Sequence, residues 1–143
     1  MDLGKVHVVL VHFPIAFAIG AVAADLLWLA TRRTIFRSAG LFCLVAALAA
    51  SAPVAATGWM RAESIKVPPD LADTIDDHEH AALASVGILA AATAVRVLRI
   101  RKPAKWQPAV YAVLMAALAA GISFTGHLGG QIAFGKDYLS GLF

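Results

Sequence analysis

Four apolar segments, each close to the length of a membrane-crossing helix, are the feature that most constrains this sequence. They cover residues 6–30, 39–59, 80–98 and 108–130. A helix needs about 20 apolar residues to cross the roughly 30 Å of hydrocarbon in a bilayer. Ala, Leu and Val dominate these segments, without the alternation that is typical of a strand. The sequence therefore predicts an all-α integral membrane protein, in which residues 1–143 form a single four-helix bundle.

The composition supports a lipid environment. Hydrophobic residues make up 60% of the chain, whereas soluble domains are about 45–50% apolar. The net charge of +3 comes from basic residues that are concentrated in two short connections. This distribution indicates membrane topology, so the lipid bilayer is the predicted partner and no nucleic-acid partner is expected.

The charges of the connections predict the orientation. The first connection, 31–37, carries Arg32, Arg33 and Arg37. The basic residues assigned to the third connection are Arg96, Arg99, Arg101, Lys102 and Lys105. Short loops rich in Lys and Arg stay in the cytoplasm. We therefore expect an up-down-up-down bundle in the bacterial inner membrane, with both termini on the outer, periplasmic side.

Acidic residues support two further expectations. The middle connection, 61–77, is the largest extramembrane piece, and Asp73 or Asp76 in it can cap the third helix. Asp25 lies near the inner end of the first segment. We expect it to reach the inner interface or to pair with Arg32 or Arg33, with a place in a proton pathway as the alternative.

The histidines all fall toward the predicted outer side. They are His7, His12, His78, His80 and His127. Ionisable residues inside membrane spans are costly, and they usually face the bundle interior or a functional site. A set confined to one side therefore predicts a shared site in that leaflet, while hydrogen bonding to lipid headgroups and loop carbonyls is the simpler alternative.

Helical spacing predicts which histidines point inward. Small residues, which close helix packing uses, follow the faces of His127 and His80. These residues are Ser123, Ala120 and Ala116 for His127, and Ala84, Gly87 and Ala91 for His80. His127 and His80 are therefore expected to point inward, and His12 less clearly so. Because His78 and His80 lie about 200° apart around a helix, at most one of the two is expected to face the core.

Local backbone chemistry adds to this expectation. Pro14 follows His12 by two residues and frees the carbonyl near Leu10, because proline has no N–H. Gly126 and Gly130 flank His127, and their lack of side chains leaves room for a close neighbour or a flat ligand.

Two motifs at the ends of the chain carry a resemblance to a known family. They are Val11-His12-Phe13-Pro14-Ile15-Ala16 and Thr125-Gly126-His127-Leu128-Gly129-Gly130-Gln131, and the segment Asp77-His78-Glu79-His80 lies between them. Together they resemble a bacterial membrane family catalogued as domain of unknown function 2231.

This resemblance implies a four-helix membrane protein that binds haem b and moves electrons, in some members alongside cytochrome c domains. It implies His12 and His127 as the best-matched histidines, with His78 or His80 as the third. His7 is followed by Val8 where the family often has proline, so the sequence departs from the family there.

Three functions are consistent with these features. The leading one is a b-type haem protein that transfers electrons near the periplasmic face, with a quinone or a cytochrome-like redox subunit as partner. The alternatives are a copper or other metal site that uses His78, His80 and acidic neighbours, and a non-catalytic accessory subunit of an oligomer or larger complex. No catalytic residue is predicted, and enzymatic activity is left open. The candidate cofactor-binding residues are His12, His78, His80, His127, Gly126 and Gly130, and the candidate metal ligands among them are His12, His80 and His127.

Overall fold

The computed structural model describes residues 3–64 and 69–135, and these residues are almost entirely helical. The helices are α1 (Leu3–Leu10), α2 (His12–Thr31), α3 (Thr34–Ser64), a short 3-10 helix (Pro69–Leu71), α4 (Ala72–Arg101) and α5 (Gln107–Phe134). By length and composition, four segments are able to cross a membrane: Lys5–Thr31, Thr34–Ala62, Pro69–Arg101 and Gln107–Phe134. The all-helical prediction with four apolar spans is confirmed.

The first span consists of two helices because of Pro14. A proline cannot donate a hydrogen bond to the carbonyl four residues earlier, which here belongs to Leu10. α1 ends at Leu10, and α2 begins at His12. The interruption lies where the sequence predicts a freed carbonyl.

Contacts between helices show that successive spans run antiparallel. α2 and α3 meet where Gly20 faces Cys43 and, five residues later along α2, where Asp25 faces Gly40. In the second hairpin, His78 near the start of α4 faces Gly129 near the end of α5. At the opposite end, the guanidinium of Arg96 lies over the ring of Tyr111. The side of the membrane that each end of the bundle faces stays a prediction.

Small side chains form much of the core. The buried cluster consists of Ala18, Ala21, Leu44, Ala47, Leu89, Ala92, Tyr111 and Leu118. Alanine allows two helix backbones to approach closely, which favours packing in a membrane, where lipid already surrounds the apolar groups. Larger apolar side chains such as Ile19, Phe42 and Val113 lie on the exposed surface. This distribution fits a bundle that is surrounded by lipid.

The helices extend further than the sequence predicts on both sides of the middle connection. α3 continues to Ser64 and α4 begins at Ala72, so most of the predicted 61–77 connection is helical. Residues 65–68 of this connection lie outside the described residues. The predicted cap is wrong: Leu71 is the N-cap of α4 and makes no side-chain cap hydrogen bond. Asp73 lies in the first turn, where its charge still favours the positive end of the helix dipole.

The third connection is also shorter than predicted. α4 continues to Arg101, and Arg96 lies inside this helix with only 3% of its surface exposed. Arg96 was therefore wrongly assigned to a loop. The residues between α4 and α5, 102–106, still carry Lys102 and Lys105. The basic character of this end of the bundle is unchanged.

Candidate functional site

All five histidines lie at one end of the bundle, which we call the histidine end. α1 lies against α3 there, since His7 reaches Val54 and Gly58. α4 lies against α5, since His78 reaches Thr125 and Gly129, on either side of His127 in the sequence. His12 follows His7 on the same span, and His80 follows His78 on α4. The predicted clustering of the histidines toward one end is consistent with this arrangement.

His7 is half-buried against α3. Its Nδ1 lies 3.1 Å from the carbonyl oxygen of Val54 and 3.2 Å from the Oγ1 of Thr57. A carbonyl oxygen can only accept, so this contact requires Nδ1 to carry the proton and Nε2 to carry the lone pair. A Cβ at Gly58 would lie 2.9 Å from the Cε1 of His7, so the position of this ring depends on the glycine.

His78 repeats the same arrangement on the second hairpin. It is half-buried, and its Nδ1 donates to the carbonyl oxygen of Thr125 at 3.0 Å. A Cβ at Gly129 would lie 3.3 Å from its Cε1. The buried Oγ1 of Thr125 has no hydrogen-bond partner among the residues the structure describes. The residue whose carbonyl orients His78 therefore also carries a buried polar group without a partner.

His7 and His78 lie at the same end of the bundle, on the first and third spans. A backbone carbonyl of a neighbouring helix orients each ring. Sequence reasoning gave His7 no role. Gly58, which makes room for the His7 ring, was the available indication.

The predicted inward orientation of the other three histidines is wrong, because His12, His80 and His127 are exposed. His12 donates from Nδ1 to the carbonyl of Val8 at 2.7 Å, within its own span. His80 donates to the carbonyl of Asp76 at 2.9 Å in the same way. The Nε2 of His127 accepts from the side-chain amide of Gln131 at 3.2 Å.

The small-residue faces explain the error. Ala84, Gly87 and Ala91 are exposed along with His80, and Ala116, Ala120 and Ser123 are exposed along with His127. On His78's own face, by contrast, Ser85 and Leu89 are buried. The prediction that at most one of His78 and His80 faces the core is consistent with this result, and the inward residue is His78.

The space that the sequence predicts at Gly126 also does not lie beside a histidine ring that points into the bundle. Gly126 is exposed, and a Cβ there would have no atom within 4 Å. Gly130 is half-buried. The space that the histidine rings use is provided by Gly58 and Gly129 instead.

The side chains that could act as ligands bear on the kind of cofactor that the protein could hold. In the described part of the chain, no three His, Cys, Asp or Glu side chains are arranged to hold a metal ion. A haem iron is held by one or two axial protein ligands, for which a pair of oriented imidazoles is suitable. Two histidines at this end, His7 and His78, are oriented by backbone carbonyls.

An apolar groove of about 430 Å³ runs beside this end, between α4 and α5. Its lining consists of Asp77, His80, Ala81, Ala84, Ser85, Ile88, Gly121 and Phe124. His80 and Asp77 are the ionisable residues in this lining. The groove places the exposed His80 beside an apolar surface that a flat or elongated lipid-soluble molecule could contact.

At the opposite end, a buried charge cluster joins the spans. The carboxylate of Asp25 lies 2.6 Å from the guanidinium of Arg96 and accepts a 2.7 Å hydrogen bond from the hydroxyl of Tyr111. Arg96 also donates to the carbonyl of Arg37 at 3.2 Å. The expected pairing of Asp25 with Arg32 or Arg33 is wrong. Arg96 directly follows a long apolar run, and this position in the sequence was the indication that it lies inside the helix.

One family model, described as "Predicted membrane protein (DUF2231)", matches residues 5–138. The matched range contains all five histidines, the buried charge cluster and the four spans. No curated protein and no solved structure matches the chain.

Proposed function

This chain belongs to the DUF2231 family of predicted membrane proteins, and we propose that it is a b-type haem protein that transfers electrons at its histidine end. One observation carries the proposal. His7 and His78 come from different spans at the same end of the bundle, and each donates from Nδ1 to a backbone carbonyl of a neighbouring helix.

This hydrogen-bonding pattern is the one that metal-bound histidines use. A ligating imidazole donates its second ring N–H to a carbonyl or carboxylate, which fixes the ring orientation and raises the basicity of the ligating nitrogen. The carbonyls of Val54 and Thr125 are such partners for His7 and His78. The unpartnered Oγ1 of Thr125 supplies one further polar contact for a bound group.

In this proposal His7 and His78 would hold the iron, and Gly58 and Gly129 leave room for their rings. Bound haem supplies one-electron redox chemistry. The proposed electron partner is a membrane quinone or a cytochrome-like redox subunit, at the periplasmic face of the bacterial inner membrane.

The sequence predicts a different ligand set for the same function. The family resemblance favours His12 and His127, with His78 or His80 as the third histidine. Together with the small-residue spacing, it gives the set of His12, His80 and His127 with Gly126 and Gly130. Since the three rings are exposed, they would hold a cofactor at the surface of the bundle, against another chain or within the groove beside His80.

The accessory-subunit hypothesis has an observation of its own. The exposed faces of α4 and α5 carry small residues, and Cβ atoms built at Gly87 and Gly126 would meet no atom within 4 Å. Small residues on a lipid-facing surface allow another helix to approach closely. A larger complex that covers these faces would account for them without any cofactor.

The test is the absorption spectrum of the purified protein, together with its metal content. The proposal predicts a Soret band that shifts on reduction with dithionite, haem b in the pyridine haemochrome assay, and iron without copper. A protein that has no Soret band after expression with ample haem supply would contradict it. A colourless protein that purifies with a stable larger complex would instead support the accessory role.

A further inference from the structure

A tryptophan and two arginines meet at the end of the bundle opposite the histidines. The guanidiniums of Arg32 and Arg99 each lie 5.7 Å from the centre of the Trp28 ring. Arg32 directly follows α2, and Arg99 lies in the last turn of α4. We call these three residues the Trp28 clamp. It lies at the membrane boundary, because the first candidate span ends at Thr31 and the third at Arg101.

The backbone of Arg32 is in an unusual conformation. It has φ 58° and ψ 12°, and it is the one non-glycine residue with positive φ in the described part of the chain. Its N–H caps α2 by donating to the carbonyl of Trp28 at 2.8 Å. Glycine is the usual residue at this left-handed position, because its missing Cβ removes the strain. An arginine here is unfavourable for the fold, which indicates that its side chain has a use.

The clamp carries positive charge that no nearby acidic residue neutralises. The sequence contains no Asp or Glu in 26–62 or in 80–136. Asp25, the acidic residue closest in sequence, is bound by Arg96 and Tyr111. Within the described ranges, neither Arg32 nor Arg99 forms an ion pair with a carboxylate. Two guanidiniums are thus held near one indole ring with their charge available.

We infer that the Trp28 clamp binds a phosphate group, of the kind that an anionic phospholipid carries at the membrane surface. Guanidinium groups form paired hydrogen bonds to phosphate oxygens, and basic sites between spans bind anionic headgroups. The indole ring contributes by holding both guanidiniums in place before the phosphate arrives, through cation–π contacts. Free inorganic phosphate has the same chemistry, so the experiment separates the two sources.

The experiment compares the wild-type protein with Arg32→Gly, Arg99→Gln and the control Arg33→Gln. Arg33 is the exposed neighbour of Arg32 and has no described contact with Trp28. Each protein is exchanged from detergent into mixed vesicles of phosphatidylglycerol and phosphatidylcholine, then analysed by native mass spectrometry for retained lipid. Binding of inorganic phosphate is measured on the same proteins in detergent by the fluorescence of tryptophan.

The proposal predicts that the wild type and Arg33→Gln retain phosphatidylglycerol in preference to phosphatidylcholine. Arg32→Gly and Arg99→Gln are each expected to bind phosphatidylglycerol about tenfold more weakly than the wild type. This is the loss that the removal of one charge-assisted hydrogen bond represents. A second outcome is that no protein retains lipid, while inorganic phosphate binds to the wild type and is lost in the same two variants. This outcome would support a site for phosphate whose ligand comes from a soluble source. Equal retention by all four proteins, or no preference for either phosphate-bearing ligand, would overturn the proposal.

Stability distinguishes a binding role from a structural one. Because glycine adopts the left-handed conformation without strain, Arg32→Gly is expected to unfold at the same temperature as the wild type or higher. A loss of lipid binding without a loss of stability would support the binding role. A variant that unfolds at a lower temperature would indicate that Arg32 acts through the fold, and Arg99→Gln then carries the test.

Discussion

The two glycines beside the histidine rings show how much depends on a single missing Cβ. A Cβ at Gly58 would lie 2.9 Å from the Cε1 of His7, closer than such atoms approach without displacement. His7 is hydrogen-bonded at the same time to Val54 on the same helix as Gly58. The ring therefore has little freedom to move away from an added methyl group while keeping its hydrogen bond.

We expect Gly58→Ala to displace the His7 ring and to lower the stability of the protein, although alanine is the better helix former by about 1 kcal/mol. Thermal unfolding in detergent measures the change. Gly87→Ala is the matched control, since it lies inside α4 and its Cβ would meet no atom within 4 Å. It should be neutral or stabilising. Equal behaviour of the two variants would mean that His7 does not occupy the position described.

The histidines also show where sequence reasoning at the residue scale succeeds and fails. The confinement of all five to one end follows from their positions in the spans, and so does the opposition of His78 and His80 around α4. The sequence positions do not show whether each histidine ring points into the bundle or away from it. Small residues favour close packing against any helix, whether it belongs to the same chain or to another. A small-residue face therefore identifies a packing surface without identifying the partner.

At the scale of the helices, the buried cluster of Asp25, Arg96 and Tyr111 is the strongest link between the hairpins. It joins α2 to α4 and α5, and the contact of Arg96 with the Arg37 carbonyl adds α3. A charge that is buried away from water is costly unless an opposite charge lies beside it. The loss of one partner leaves the other buried and uncompensated.

Arg96→Met is therefore expected to destabilise the protein by about 3–5 kcal/mol. The double variant Asp25→Leu/Arg96→Met should lose much less, because it removes both charges together. The free energy of unfolding in a detergent titration gives the comparison, and Arg101→Met, on the same helix but exposed, serves as the control. A double variant as unstable as the sum of the two single variants would show that the residues are not coupled.

The ends of the helices were less predictable than their existence. Apolar periodicity indicates where a span lies in lipid, whereas the helical hydrogen bonds continue into polar sequence beyond it. α3 and α4 both extend past their apolar segments, to Ser64 and back to Ala72. The break between α1 and α2 was predictable, because a proline removes a specific hydrogen bond.

At the scale of the whole molecule, the orientation depends on charge. Arg32, Arg33, Arg37, Arg99, Arg101, Lys102 and Lys105 lie at the end of the bundle opposite the histidines. Short basic connections stay in the cytoplasm, so we expect the histidine end to face the periplasm. The antiparallel packing of successive spans is consistent with this orientation and equally with its reverse.

Labelling of single cysteines tests the orientation. Cys43, the one native cysteine, is replaced by alanine, and a cysteine is introduced at Ala72 or at Ala104, both exposed and at opposite ends of the bundle. In intact spheroplasts, a membrane-impermeant maleimide should label Ala72→Cys and leave Ala104→Cys unlabelled until the membrane is permeabilised. The reverse pattern would place the histidine end in the cytoplasm.

We propose that one pair of histidines, His7 and His78, holds a haem cofactor, and the haem content of five variants tests this pairing. Each histidine is replaced by alanine in turn, and the reduced-minus-oxidised spectrum is recorded at equal protein concentration and after a check of folding. His7→Ala and His78→Ala are expected to lose or shift the haem bands, while His12→Ala, His80→Ala and His127→Ala should keep them. Bands that disappear only in the latter three variants, or that are absent from the wild type, would contradict it.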